Sequence, residues 1–205
     1  MIGYYNYTVV LTYIGTVFGF TGISYAFAGN FKMALICLMI AGFCDMFDGK
    51  IASTMKRTRA EKRFGIQIDS LSDQICFGVL PAFIVLRFSN KEMIHTAISV
   101  AYMLCALVRL AWFNVDEEER QEKEEGSRET YLGMPVTTSA IILPLVMGIG
   151  SWLSLPMEKV MPWILLCVAI AFITPFKTKK PKLIGKLVMV LLGIAALVVL
   201  LMGMK

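Results

Sequence analysis

Residues 45–73 decide the reading of this chain: Asp45-Met-Phe-Asp48-Gly49-Lys-Ile-Ala52, a basic interval from Ser53 to Phe64, then Gly65-Ile-Gln-Ile-Asp69-Ser-Leu-Ser-Asp73. The first part closes a long apolar run and the second opens another. On a helix, residues three and four apart share a face. Asp45, Asp48, Gly49 and Ala52 therefore form one stripe, and Gly65, Asp69 and Asp73 a second. Two antiparallel helices joined at this end bring the stripes together. An ionised carboxylate within a transmembrane helix costs about 2.5–3.5 kcal/mol even on lenient insertion scales, so four of them call for a cation, a water-filled cavity, or both.

Moving outward, composition sets the solvent. Of 205 residues, 57% are hydrophobic and 17% charged, with a mean hydropathy of +0.69, too apolar for a water-soluble domain of this size. Apolar runs near the ~20 residues that span a bilayer fall at 8–28, 31–49, 68–88, 93–113, 136–154, 160–176 and 183–203. The predicted fold is an all-α integral membrane protein, a single polytopic bundle of about seven transmembrane helices. The expected organisation is one membrane domain over 1–205, with a catalytic core of about 1–154 and accessory helices over about 155–205. No basic segment precedes the first run and no small-residue cleavage site follows it, so it reads as a helix of the fold rather than a leader. Lys50, Lys56, Arg57, Arg59, Lys62 and Arg63 lie between the second and third runs, Arg120, Lys123 and Arg128 after the fourth, and Lys177, Lys179, Lys180, Lys182 and Lys186 after the sixth. The positive-inside rule makes that side, with the N-terminus and the acids, cytoplasmic.

The net charge of +5 comes largely from these loops, so it reports topology and affinity for anionic membrane lipids, and no nucleic-acid module is visible. Cys37, Cys44, Cys76, Cys105 and Cys167 lie in apolar runs without a C-x-x-C pair, which reads as reduced core residues. His95, the sole histidine, falls in a short outer connection and is not expected to ligate metal or act as a base. The charge run Asp116–Glu129 reads as a solvated extension of the fourth helix, helix-compatible up to Gly126. Lys177–Lys182 reads as a tight turn broken by Pro181.

Converging carboxylates without imidazole or thiolate select hard cations, Mg²⁺, Mn²⁺ or Ca²⁺. Gly49, Ala52 and Gly65 leave the acidic face unobstructed. Small residues in membrane helices usually mean close helix packing. Beside four acids they also give a slot in which a metal-bound phosphorylated ligand can lie, which points to a metal-assisted reaction on a diphosphate. The pattern Asp-x-x-Asp-Gly-x-x-Ala, then Gly-x-x-x-Asp-x-x-x-Asp, resembles the defining signature of the CDP-alcohol phosphotransferases, which displace CMP from a CDP-activated lipid or alcohol. Two departures stand out: Ser53 replaces the Arg usual after the Ala, and the gap to Gly65 is longer than the commonest spacing. Lys56, Arg57 or Arg59 could serve in place of that Arg. The resemblance implies that Asp45, Asp48 and Asp69 hold the metals, two ions of Mg²⁺ or Mn²⁺, with Ca²⁺ an alternative occupant. Asp73 would stand at the edge of the metal site, a fourth candidate ligand and the general base. Asp48, Gly49, Ala52, Gly65, Lys56 and Arg57 would shape the nucleotide and diphosphate slot.

Downstream, Cys76-Phe-Gly-Val-Leu-Pro81-Ala, Arg109-Leu-Ala-Trp-Phe-Asn114 and Tyr131-Leu-Gly133-Met-Pro135-Val-Thr137-Thr138 look like the phosphatidylserine synthase branch. The resemblance covers most of residues 1–145 and fades over the last two helices. It implies transfer of a phosphatidyl group from CDP-diacylglycerol to the hydroxyl of L-serine, by a homodimer in the cell membrane with its active site towards the cytoplasm. Serine carries a carboxylate and an ammonium, so its pocket should hold a fixed cation and oxygen acceptors. Arg109 is the candidate cation for the serine carboxylate or a lipid phosphate. Equally, it snorkels to the interface or pairs with a motif acid. Asn114, Tyr131, Thr137 and Thr138 are candidate polar contacts, or else cap and turn residues. Glycerol 3-phosphate or an inositol phosphate as acceptor should demand more basic residues than Arg109. A divalent-cation transporter should continue polar residues past Asp73, whereas the run from Ile75 to Leu86 is apolar.

Overall fold

The computed structural model describes residues 3–89, 92–123, 130–179 and 183–204. Asn6 opens the first helix: its side chain accepts from the backbone and hydroxyl of Thr8, capping a short 3₁₀ turn (Tyr7–Val9) that runs into α1 (Val10–Phe27). Gly29, at φ +81, turns the chain, and Asn30 caps α2 (Phe31–Ala52) by accepting from the Met33 amide at 3.1 Å. Thr58 and Glu61 form a reciprocal capping box that starts α3 (Arg59–Asp73). A π-helical turn (Gln74–Val79) links α3 to α4 (Leu80–Phe88), so Arg59–Phe88 is one continuous rod of 30 residues. Then follow α5 (Met93–Lys123), strand β1 (Thr130–Leu132), α6 (Ser139–Trp152), α7 (Met157–Ile173), strand β2 (Lys177–Lys179) and α8 (Leu183–Gly203).

Among the described residues this makes seven helical rods, close to the seven apolar runs. Three of them, Tyr7–Phe27, Arg59–Phe88 and Met93–Arg120, are long and apolar enough to cross a membrane, and Val136–Trp152 and Leu187–Gly203 are shorter apolar helices. Large apolar side chains such as Val17, Phe20, Trp112, Trp163 and Leu191 are more than half exposed around the outside. That is the surface of a protein whose surroundings are lipid rather than water.

The core is built from Leu35, Leu38, Phe77, Leu80, Ile84, Tyr102, Leu143, Met147, Met161 and Leu165, all essentially inaccessible. Along Gly15, Gly19, Gly22 and Ala26, whose missing or minimal side chains allow close approach, α1 packs on antiparallel α2 and on the π turn and α4. A methyl group on Gly19 would lie 2.6 Å from Cys76 Sγ, and one on Gly22 would lie 2.8 Å from Leu80. Gly19→Ala is therefore expected to lower thermal stability in detergent by about 1–3 kcal/mol through overpacking. Cys76→Ala in the same chain should restore most of the loss, because it removes the sulfur that collides. A thermal scan of the four variants tests this.

Three local expectations change. His95 lies inside α5 and is 6% exposed, not in a connection, because the helix starts at Met93 immediately after the outer turn. Cys167 is exposed on α7 rather than in the core. Lys177–Lys179 is not simply a turn: it pairs antiparallel with β1, Thr130 opposite Lys179 and Leu132 opposite Lys177. Gly133, at φ +75, donates its amide to the Phe176 carbonyl at 2.7 Å and extends that ladder. The distal part of the charge run, residues 124–129, and residues 180–182 with Pro181 lie outside the described residues.

Candidate active site

The site starts with the antiparallel meeting of α1, α2 and α3. The Tyr7 hydroxyl lies 2.9 Å from Thr54 Oγ1, and Tyr4 meets Phe64 edge-on at 5.6 Å, so the N-terminal segment sits at the same end as the α2–α3 connection. One helical turn deeper, Asp45 and Asp48 on α2 face Asp69 on α3. Each offers a carboxylate oxygen, and the three oxygens lie within 4.8 Å of one another. Asp73, one turn beyond Asp69, is outside that group but lines the same small cavity with Thr12, Cys44, Ser72, Cys76 and Phe77.

Hydroxyl groups of α1 complete the wall. Thr12 Oγ1 donates to Asp48 Oδ2 at 3.4 Å, and Thr16 Oγ1 lies 2.6 Å from Ser72 Oγ, which is also 3.3 Å from the Thr12 carbonyl. Sequence reasoning passed over Thr12, Thr16 and Ser72. The available signal was the i, i+4 spacing of Thr12 and Thr16 in a largely apolar helix beside a glycine stripe. Cys44 and Cys76, buried in the core as expected, also line this wall. Cys76 Sγ donates to the Gly15 carbonyl at 3.3 Å.

The residues present fit a hard divalent cation. Asp69 Oδ1 is buried and has no hydrogen-bond partner. An unsatisfied carboxylate oxygen in the interior is costly, and two further carboxylates beside it raise that cost unless positive charge is shared among them. All three ligand atoms are oxygens, which suits Mg²⁺, Mn²⁺ or Ca²⁺. The cavity they line has about 10 Å³ of free space, enough to admit a water- or ion-sized guest. A nucleotide would reach it from its open side. Gly49 offers that approach: it is exposed, with open space where a Cβ would stand.

Of the other expected slot residues, Ala52 is half-buried at the end of α2 and Lys56 is exposed. Arg57 folds back against α3. A methyl group on Gly65 would stand 3.0 Å from its Nη1, and its Nε is buried without a hydrogen-bond partner. Gly65 and Asp69 are one turn apart on α3, so the guanidinium lies against the helix that carries the acid.

The expected serine contacts fall elsewhere in the bundle. Arg109 is 8% exposed, donates Nε to the Met134 carbonyl at 3.3 Å and lies 5.8 Å from the Phe113 ring centroid. It is not among the residues lining the acidic cavity. Asn114 accepts from Ser70 at 2.6 Å and donates to Gln67 at 3.3 Å, bridging α5 to the turn that carries Asp69. Thr138 Oγ1 donates to the Pro135 carbonyl at 2.7 Å, as a turn residue does, and Thr137 is half-buried in the same 3₁₀ turn. The backbone of Tyr131 is in β1, and its side chain lies outside the described residues.

Known proteins share this arrangement of sequence. The chain is 28% identical to the CDP-diacylglycerol–serine O-phosphatidyltransferase of Mycobacterium tuberculosis, over 70% of this chain and 51% of that protein. It is 32% identical to the one from Saccharomyces cerevisiae, over 55% of this chain and 39% of that protein. With the Bacillus subtilis protein of the same name it shares 25% identity over 71% of this chain and 82% of the relative. The chain spans about half the length of the mycobacterial relatives it matches. A family model described as CDP-alcohol phosphatidyltransferase matches residues 5–175, the stretch from the N-terminal cap past the end of α7, and the chain belongs to that family.

Proposed function

We propose that this chain transfers a phosphatidyl group from CDP-diacylglycerol to the hydroxyl of L-serine, giving phosphatidylserine and CMP. The observation that carries the reading is the convergence of Asp45, Asp48 and Asp69 on one point, with Asp73 on the wall of the same cavity. The names of the relatives favour serine as the acceptor.

Asp45, Asp48 and Asp69 hold the divalent ions, Mg²⁺ or Mn²⁺. A bound ion there would neutralise the diphosphate and make CMP a better leaving group. Asp73 takes the proton from the serine hydroxyl as its oxygen forms a bond to the lipid-side phosphorus, and the bond from that phosphorus to CMP breaks. Gly49, Ala52 and Gly65 leave room for the nucleotide, and Arg57, with Lys56 nearby, supplies the cationic contact to the diphosphate that Ser53 cannot. Arg109, fixed by the Met134 carbonyl, binds the serine carboxylate or a lipid phosphate, and Asn114, Tyr131, Thr137 and Thr138 are the candidates for further polar contacts. Residues 1–154 make up the catalytic core and the helices after 155 are accessory. The chain works as a homodimer in the cell membrane, with its N-terminus and acids on the cytoplasmic side, where nucleotide and serine are available.

The test is CMP release by protein purified in detergent, with CDP-diacylglycerol and Mn²⁺ or Mg²⁺, comparing L-serine, glycerol 3-phosphate and an inositol phosphate. Release that requires both serine and metal is the expected result. Release with another alcohol would keep the chemistry and discard serine, and metal binding without release for any acceptor would discard the enzyme reading.

A further inference from the structure

Immediately after Asp73 the helix changes its winding. Residues Gln74–Val79 form a π turn, in which the Leu80 amide reaches back to the Ile75 carbonyl, five residues away. Such turns are rare because they widen the helix and sacrifice packing, and they recur at functional sites. Its local cause is legible: Pro81 has no amide to give the Phe77 carbonyl four residues earlier, and its ring crowds that carbonyl. A carbonyl orphaned in a membrane interior must find another donor. Tyr102 of α5, wholly buried, supplies it: its hydroxyl donates to the Phe77 oxygen at 2.7 Å.

A second strut lies one residue further along α5. The Gln74 side chain donates through Nε2 to the Met103 carbonyl at 3.3 Å, and its Oε1 is buried without a partner. The amide is folded over Gly78, where a methyl group would stand 2.7 Å from Nε2 and 2.8 Å from Cδ. Gly78 is thus the residue that leaves Gln74 its place. A half-satisfied amide in the core stabilises poorly, so the strut needs a reason other than stability.

We propose that Gln74, Gly78 and Tyr102 are positioning residues for Asp73. Together they hold the π turn, and the π turn fixes the last residues of α3 before it, Ser72 and Asp73, against the cavity wall. The rods below it pack by their own demands: Leu80, Ile84 and Val85 are in the core. The extra residue per turn takes up the difference in register between the two halves. Asp45 and Asp48 lie on α2, and Asp69 lies one turn further back along α3, where the Ser70–Asn114 hydrogen bond also ties the helix to α5, so these three gather without the π turn. The inference rests on the reading of Asp73 as the base.

Tyr102→Phe removes the hydroxyl and keeps the ring, so packing is retained. The expected result is a fall in kcat for CMP release of about 10- to 100-fold, the scale of a catalytic group displaced by an ångström. KM for the CDP-lipid and the Mn²⁺ concentration for half-maximal activity should stay within about twofold of wild type. In an Asp73→Asn background Tyr102→Phe should cost nothing further, because the group being positioned is already gone. Gly78→Ala, which evicts the Gln74 amide, should give the same pattern. Should Tyr102→Phe fail to fold, Gln74→Leu carries the test, since it deletes the second strut with little change of size. A wild-type kcat in these variants would overturn the inference, as would a loss that adds to that of Asp73→Asn or a matching rise in the Mn²⁺ requirement. A wild-type protein that releases no CMP with any alcohol would sink the function first and the inference with it.

Discussion

Asp73→Asn should reduce CMP release by about 10²- to 10⁴-fold, the range that a positioned general base contributes. The carboxamide keeps the shape of the side chain and loses the capacity to accept a proton, so the change isolates chemistry from packing. Mn²⁺ should still bind with near wild-type affinity, because Asp73 lies outside the group of three carboxylates within 4.8 Å of one another. Electron paramagnetic resonance of Mn²⁺, set beside the rate of CMP release, separates the two. Full activity in the variant would remove Asp73 from the mechanism, and lost Mn²⁺ binding would make it a ligand instead.

Asp69→Asn should do the opposite at the level of binding and more than that at the level of stability. Removing one of three ligands is expected to abolish Mn²⁺ binding in the micromolar range, and CMP release with it. The metal-free protein, however, should melt at a higher temperature than wild type. Its three carboxylates crowd one another, and Asp69 Oδ1 has no hydrogen-bond partner, so neutralising Asp69 relieves repulsion and a desolvated charge. Wild type regains stability on adding metal, by about 2.7 kcal/mol at a hundred times the dissociation constant. Thermal scans with and without Mn²⁺ should therefore cross over: the variant more stable without metal, wild type more stable with it. A variant less stable than wild type in both conditions would mean that Asp69 holds the bundle together rather than an ion.

The four aspartates were legible because helical periodicity and the cost of burying charge both act on the same few residues. Asp45, Asp48 and Asp69 come together as their spacing requires. Most apolar runs map onto the rods with small shifts at their ends, but the third rod begins at Arg59, well before its run at 68. The fourth is the more instructive departure: apolar character stops near 113, yet α5 continues to Lys123. The extension is supported by polar contacts instead, with Arg120 and Glu117 paired at 2.6 Å and Glu118 reaching Arg63 at 3.7 Å and Gln67 at 3.4 Å. A charge run is thus partly an interhelical seam, which no single-helix pattern reveals.

What was hidden depends on contacts between distant segments. Thr12 and Ser72 could not be placed in the site from sequence, because a hydroxyl in a membrane helix can satisfy itself on its own backbone, as Thr16 does on the Thr12 carbonyl at 2.9 Å. The π turn was signalled by Pro81 and Gly78, but its stabilising hydroxyl comes from Tyr102 on another helix. The pairing of β1 with β2 left no trace, since three-residue strands such as Lys177–Lys179 are too short for alternating polarity to register.

That short ladder has a consequence for how the sequence can drift. It joins the segment before α6 to the segment after α7, so the helical hairpin between them is a closed loop held at its neck. The neck is fastened by main-chain amides and carbonyls, and the Gly133 amide on the Phe176 carbonyl adds to them. Substitutions that reverse the charge of Lys177 or Lys179, or exchange Thr130, leave those atoms in place, so these positions can change without opening the hairpin. Proline at a hydrogen-bonded position is the exception, because it removes the very amide that does the fastening.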